Sequence, residues 1–203
     1  MSCTITLASA SPRRVELLQQ IGITAEVAPV HVDETSVNPA TLEQEGVFGD
    51  RIPYEVCLRR ARLKMDAAVA RPGTAAILCA DTVVVVGRNI LDKPTDRADA
   101  DRMLSTLSGT SHQVLTAVVM TDPSGENRQE DVVTTDVTFS ALTHAEMQRY
   151  LDSEEWRGVA GAYRIQGRAG AFVTAVNGSY SAVMGLPIHS VYTMIRRFSG
   201  AFV

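Results

Sequence analysis

Thr4-Ile5-Thr6-Leu7-Ala8 followed by Ser9-Ala10-Ser11-Pro12-Arg13-Arg14 reads as a short buried strand that turns a corner into a helix. Beyond the corner, Val15, Leu17, Leu18 and Ile21 recur at helical spacing and Gly22 closes the helix. Ser11 is placed as the N-cap and Pro12 as the first helical residue, which has no N–H to leave unpaired. The amides that follow point outward at the positive end of the helix dipole, beside Arg13 and Arg14. Such a corner is either a seat for a phosphate chain or a capped helix with its arginines in solvent.

Working outward, helices and strands alternate. A second strand is expected over Val27 to Val32, ending in the acidic pair Asp33-Glu34. Thr35 to Pro53 is polar, carries Pro39, Gly46 and Gly49, and reads as a long surface loop of the kind that often serves binding. Tyr54 to Val69 has helical periodicity, and Ala75 to Val86 is the strongest strand signal, expected to be central and buried on both faces. A helix capped by Asp96 runs to Leu107. Val114–Thr121 and Val132–Phe139 are expected as strands joined by the turn Asp122-Pro123-Ser124-Gly125. Thr143 and Glu146 form a capping box for another helix. A glycine-rich stretch from Gly158 to Gly170, a strand over Ala171 to Val176 and a helix from Pro187 to Phe198 complete an α/β pattern.

At 203 residues, 45% hydrophobic and 21% charged, the chain suits one domain with a substantial core. Its formal net charge of −4 argues against a nucleic-acid footprint but leaves room for a local anion pocket. Cys3, Cys57 and Cys79 have no metal-ligand spacing and read as reduced, apolar packers. No secretory signal is expected at the N-terminus and no apolar run is long enough to span a membrane, so a cytoplasmic setting without membrane partners is expected. His31, His112, His144 and His189 show no zinc spacing. The serines lack a G-x-S-x-G context, and neither a Walker A loop nor G-x-G-x-x-G occurs.

Asp81 interrupts an otherwise apolar strand. A carboxylate there needs a counter-charge, hydrogen bonds or a metal, which suits a general base or metal ligand, or else a bulge in which it accepts backbone bonds. Glu34 offers a second hard oxygen, and two carboxylates plus phosphate oxygens suit Mg²⁺; a solvated strand end is the other reading. Lys93, held extended by Pro94, could contact phosphate as a point charge or sit on a surface loop. In Gly161-Ala162-Tyr163-Arg164-Ile165-Gln166-Gly167, Gln166 carries the donor and acceptor needed to read an imide face, as in uracil and thymine, or bonds its own backbone.

Together these pieces resemble the Maf family of nucleoside triphosphate pyrophosphatases. The matching stretches are Leu7 to Arg14, Val32-Asp33-Glu34, Ala80-Asp81-Thr82-Val83-Val84, Lys93-Pro94, Leu107-Ser108-Gly109 through His112-Gln113-Val114 to Thr116, Gly161 to Gly167, Asn177-Gly178-Ser179-Tyr180 and Val183-Met184-Gly185-Leu186-Pro187. The resemblance implies a mixed, twisted central sheet flanked by helices, with two lobes around a central cleft, over 1–203 as one domain. Residues from about 38 to 53 form an extended loop insertion. It implies hydrolysis of a nucleoside triphosphate to the monophosphate and pyrophosphate with Mg²⁺ or Mn²⁺, and a homodimer. By that likeness Asp81 activates water, Glu34 and Asp81 hold the metal, and Ser9, Arg13, Arg14, Glu34 and Lys93 bind substrate. Arg13, Thr82 and Gln166 resemble the specificity residues of the dTTP/UTP subgroup. The family's Glu-Lys-Ala corresponds here to Ala61-Arg62-Leu63, which makes Arg62 the stand-in for that lysine as a phosphate ligand. The rival expectations are the same reaction on 7-methyl-GTP or another base, and a nucleotide-binding regulator of cell division with vestigial hydrolysis.

Overall fold

The computed structural model describes residues 4–70 and 75–199, so Cys3 lies outside the described residues. The chain runs β1 (Thr4–Leu7), α1 (Pro12–Gln20), β2 (Thr24–Val27), α2 (Pro39–Gln44), α3 (Arg51–Val69), β3 (Ile77–Val86), β4 (Asn89–Leu91), α4 (Arg97–Leu107), β5 (Ser111–Thr121), β6 (Arg128–Phe139), α5 (His144–Asp152), β7 (Val173–Asn177), α6 (Tyr180–Met184) and α7 (Ile188–Ser199). One mixed sheet has the order β2-β1-β3-β5-β6-β7, with β4 also on β3. β1 is parallel to both β2 and β3, and the remaining pairs are antiparallel.

β3 explains the layering because its side chains alternate between two cores. Leu78, Ala80 and Val84 join the larger core beneath α1, α4, α5 and α7. Cys79, Val83 and Val85 join a second core under α3, with Val56, Cys57 and Met65. Burial pushes the Cys79 thiol up to about 12 and the Cys57 thiol higher still, so both are inert packers. No helix among the described residues is long and apolar enough to cross a membrane.

Several elements depart from their sequence expectation. The second strand ends at Val27 because it pairs residue for residue with the four-residue β1, Leu7 lying opposite Val27. The expected 35–53 loop contains a 3₁₀ turn at Glu34–Ser36 and helix α2, whose first amides are met by the Asn38 carboxamide. Asn38-Pro39 is therefore a helix start, not only loop punctuation. α3 begins at Arg51, since Pro53 in a first turn forfeits no intrahelical bond. β7 starts at Val173, after a 3₁₀ turn over Arg168–Phe172. The short β4 and α6 carry too few residues to show periodicity.

The Thr143–Glu146 capping box forms as expected. His112, read as structural, is buried on β5; its Nε2 pairs with the Tyr163 hydroxyl at 2.8 Å while Nδ1 has no partner among the described residues. Burial lowers its pKa from 6.5 to about 4. The folded state thus refuses a proton that the unfolded chain accepts, so stability is intact above 6.5 and is lost as pH falls towards 4. Urea unfolding should lose about 2 kcal/mol between pH 7 and pH 5 from this residue, a loss absent in His112→Gln.

Candidate active site

β5 pairs with one edge of β3 along 77–85. On the other edge, β1 reaches only to Leu78 and β4 begins only at Val84. Over residues 79–83 that edge has no strand neighbour, and a cleft of about 420 Å³ opens into the gap, a volume suited to a small-molecule ligand. It is lined by the β1–α1 corner, Glu34, Lys64, Asp81, Thr82, Lys93, the 158–166 stretch and Val183–Gly185.

The corner is organised by Arg14. Its Nε donates to Gly185 O at 2.8 Å, and Nη1 donates to Ser9 Oγ and to Ala80 O, each at 2.9 Å. Arg14 thereby fills part of the sheet gap, replacing a strand neighbour at Ala80, and only Nη2 is left for a ligand. A side chain at Gly185 would sit 3.6 Å from Arg14 Nε in a backbone of φ +117°, so glycine suits the approach. Ser9 Oγ also accepts from the Ser11 amide at 3.3 Å. Ser11 occupies the N-cap position, but its side chain makes no capping bond. Arg13 is half-buried, with Nε on Met184 O at 3.3 Å; burial chiefly, then nearby Arg164 and Arg14, lower its pKa.

Asp81 points to the α3 face of β3 and is buried. Lys64 Nζ donates to its Oδ1 at 2.6 Å and stands 3.0 Å from Glu34 Oε1. Oδ2 of Asp81 is buried and has no hydrogen-bond partner among the described residues. Burial raises the Asp81 pKa, with Lys64 the main opposing influence. Lys64 lowers that of Glu34 against burial. One ammonium is thus shared by two carboxylates, a low-dielectric arrangement in which each charge depends on the others.

Every expected site residue except Arg62 lines this cleft. Arg62 lies on the outer side of α3 in a bidentate pair with Glu130, 2.8 Å from Nε to Oε2, so it does not replace the family's lysine. The α3 lysine that lines the cleft is Lys64. Helical period could have separated the two: Val56, Arg60, Ala61, Lys64, Met65 and Ala68 form the buried stripe of α3, and Arg62 falls off it. Asp33 also stays outside, its carboxylate spent on the amide and hydroxyl of Thr35. Thr82 meets Thr116 of β5 hydroxyl to hydroxyl at 3.0 Å. Gln166 is exposed at the rim.

The sequence reading also missed a clasp behind the cleft. Arg60 donates from Nε to Val37 O at 3.2 Å and grips Asp92 at 2.6 and 3.2 Å. Asp92 O in turn accepts from the Gly161 amide at 3.2 Å. The segments bearing Glu34, Lys64, Lys93 and Gln166 are so joined through four bonds. Gly161 can approach because it has no Cβ, which would lie 2.9 Å from Val84.

The mixed α/β fold is similar to that of the solved Staphylococcus aureus Ham1 protein. That match has a TM-score of 0.52 at 14% identity and covers 96% of this chain and 98% of that one, a likeness of fold alone. The chain itself belongs to the Maf family, matching "Maf-like protein" over residues 4–198. Relatives named dTTP/UTP pyrophosphatase include one from Polaromonas sp., 41% identical over 198 residues (95% of this chain, 94% of the relative), and one from Hyphomonas neptunium, 43% identical over 195 residues (96% and 95%). A third, from Caulobacter vibrioides, is 41% identical over 192 residues, 94% of this chain and 93% of the relative.

Substitutions at the Lys64–Asp81 contact should move stability in opposite directions. Lys64→Met removes the one ammonium bonded to both carboxylates, and chemical denaturation should show a loss of about 3 kcal/mol. Asp81→Asn keeps Lys64 paired with Glu34. Because the folded Asp81 pKa is raised, the charged form costs stability as pH rises above the usual carboxylate range, and the amide removes that cost. Its melting temperature at pH 7 should equal or exceed that of the parent.

Proposed function

We propose that this chain hydrolyses dTTP and UTP to the nucleoside monophosphate and pyrophosphate, with Asp81 as the proton acceptor. The observation that carries the reading is the buried, unpartnered Oδ2 of Asp81 at the floor of a cation-lined cleft, in a family whose similar members bear that name. Asp81 Oδ2 takes the proton of a water that attacks the α-phosphorus, and the α–β anhydride bond breaks with pyrophosphate as the leaving group. Arg13, Arg14, Lys64 and Lys93 hold the phosphates and offset the charge that develops on the departing oxygens. The N-terminus of α1, free of a side-chain cap, adds its dipole to the same seat.

Glu34 and Asp81 are hard oxygen donors on the cleft wall, a donor set that would fit a Mg²⁺ or Mn²⁺ ion. No group of three or more metal-ligating side chains occurs among the described residues, so the remaining ligands would come from substrate phosphate and water. Such an ion would supply Lewis-acid stabilisation of the phosphoryl oxygens. Thr82, Gln166 and Arg13 face the base and set its choice.

A panel of nucleoside triphosphates assayed for pyrophosphate should show preferential release from dTTP and UTP, abolished by a chelator and restored by Mg²⁺ or Mn²⁺. Asp81→Asn should lower kcat at least about a hundredfold; activity surviving it would remove Asp81 as the base. Gln166→Glu should lower kcat/KM for dTTP and UTP about tenfold, and an unchanged substrate profile would take Gln166 out of base selection.

A further inference from the structure

Gln166 cannot by itself separate uracil from cytosine. Its carboxamide presents a donor on one side and an acceptor on the other, and a flip exchanges them. Among the described residues Gln166 makes no side-chain hydrogen bond that would lock one orientation. Discrimination between two bases that differ by reversal of donors and acceptors needs a group whose polarity is fixed.

Thr82 is such a group, and what fixes it is Thr116. The Thr116 side chain is fully buried on β5, directly opposite Thr82 in the strand pairing. A hydroxyl has one proton. That of Thr116 goes to the carbonyl oxygen of Ala182 at 2.8 Å, which can only accept. In the 3.0 Å contact with Thr82, Thr116 must therefore be the acceptor, and Thr82 the donor. The one proton of Thr82 is then committed away from the cleft, and its oxygen offers the cleft lone pairs alone. The same oxygen lies 3.7 Å from where a Cβ on Gly185 would stand, on the cleft wall.

We infer that Thr116 is a specificity-determining positioning residue: the relay Thr82–Thr116–Ala182 makes Thr82 a fixed acceptor, which takes the N3–H of uracil or thymine and rejects the N3 lone pair of cytosine. Thr116 touches no substrate. The inference rests on the proposed dTTP/UTP reading, with Thr82 facing the base.

The test is the ratio of kcat/KM for UTP to that for CTP in the wild type and in Thr116→Val, Thr116→Ala and Thr116→Ser. The valine and alanine variants free the Thr82 hydroxyl to rotate, and the ratio should fall about tenfold in each, with CTP hydrolysis rising rather than all rates falling together. Serine keeps the relay and should hold the ratio within about twofold of wild type. Alanine adds no methyl group where the hydroxyl was, so it serves if the valine variant does not fold. A wild type that discriminates beside valine and alanine variants that discriminate equally well overturns the relay while leaving the pyrimidine reading intact. A wild type that hydrolyses CTP as readily as UTP overturns the dTTP/UTP reading, and the relay with it.

Discussion

An ionised carboxylate inside an apolar strand costs several kcal/mol unless a cation reaches it, and Asp81 faces α3, which supplies one at hydrogen-bond distance. β3 alternates, so Asp81 shares a face with Cys79 and Val83 beneath that helix. Lys64 is the residue of the α3 stripe at the right height. Its ammonium also binds Glu34, which draws the 3₁₀ turn at Glu34–Ser36 over the floor of the cleft. Arg60, one helical turn earlier on the same stripe, holds the next stretch of that segment at Val37 and reaches across to Asp92. The need to compensate one buried charge thus fixes the position of three segments around it.

That charge is useful only because the sheet is interrupted beside it. A strand fully paired on both edges, with both faces covered, would seal Asp81 from any ligand. Here β1 is four residues long and β4 three, and both lie on the same edge of β3 with unpaired residues between them. The gap lets a ligand approach along the sheet plane, so Asp81 on one face and Thr82 on the other border the same cleft. Ala80 would expose an unpaired carbonyl there, and the Arg14 guanidinium takes it. The same side chain clamps Ser9 and Gly185, so closing the sheet edge and shaping the anion seat are one arrangement.

The strand–corner–helix at the start, the anomaly of Asp81 and the Thr143–Glu146 capping box are legible because each rests on neighbours in sequence. The α/β class and nearly all of the cleft followed. Arg62 does not stand where the order of the motif along the chain places it, because the helical period puts Lys64 on the inward face and Arg62 against Glu130. The Asn38–Gln44 segment starts a helix where a loop is expected, because proline and asparagine punctuate loops and start helices alike. β4 and the Arg60–Asp92 clasp were beyond a linear reading, since each depends on a partner thirty or so residues away or on a pairing three residues long. The Thr116 hydroxyl gave no signal either: threonine in a strand is ordinary, and only the direction of its bond to Ala182 gives it meaning.

The charges of the cleft point to how substrate and metal arrive. Arg13, Arg14, Lys64, Lys93 and Arg164 stand against Glu34 and Asp81, an excess of positive charge in a chain whose formal net charge is −4. A basic hollow on an acidic molecule focuses its field into the opening, favouring a compact polyanion over an extended one that must also meet the surrounding surface. Yet the excess is smaller than the roughly four negative charges of a free triphosphate. Lys64 is already neutralised by two carboxylates, and much of Arg14 is committed to carbonyls and Ser9. A triphosphate entering alone would leave anionic charge uncompensated in a site of low dielectric, which is costly. A divalent cation carried in on the phosphates would restore the balance, and Glu34 and Asp81, which Lys64 holds together, would be the residues to hold it.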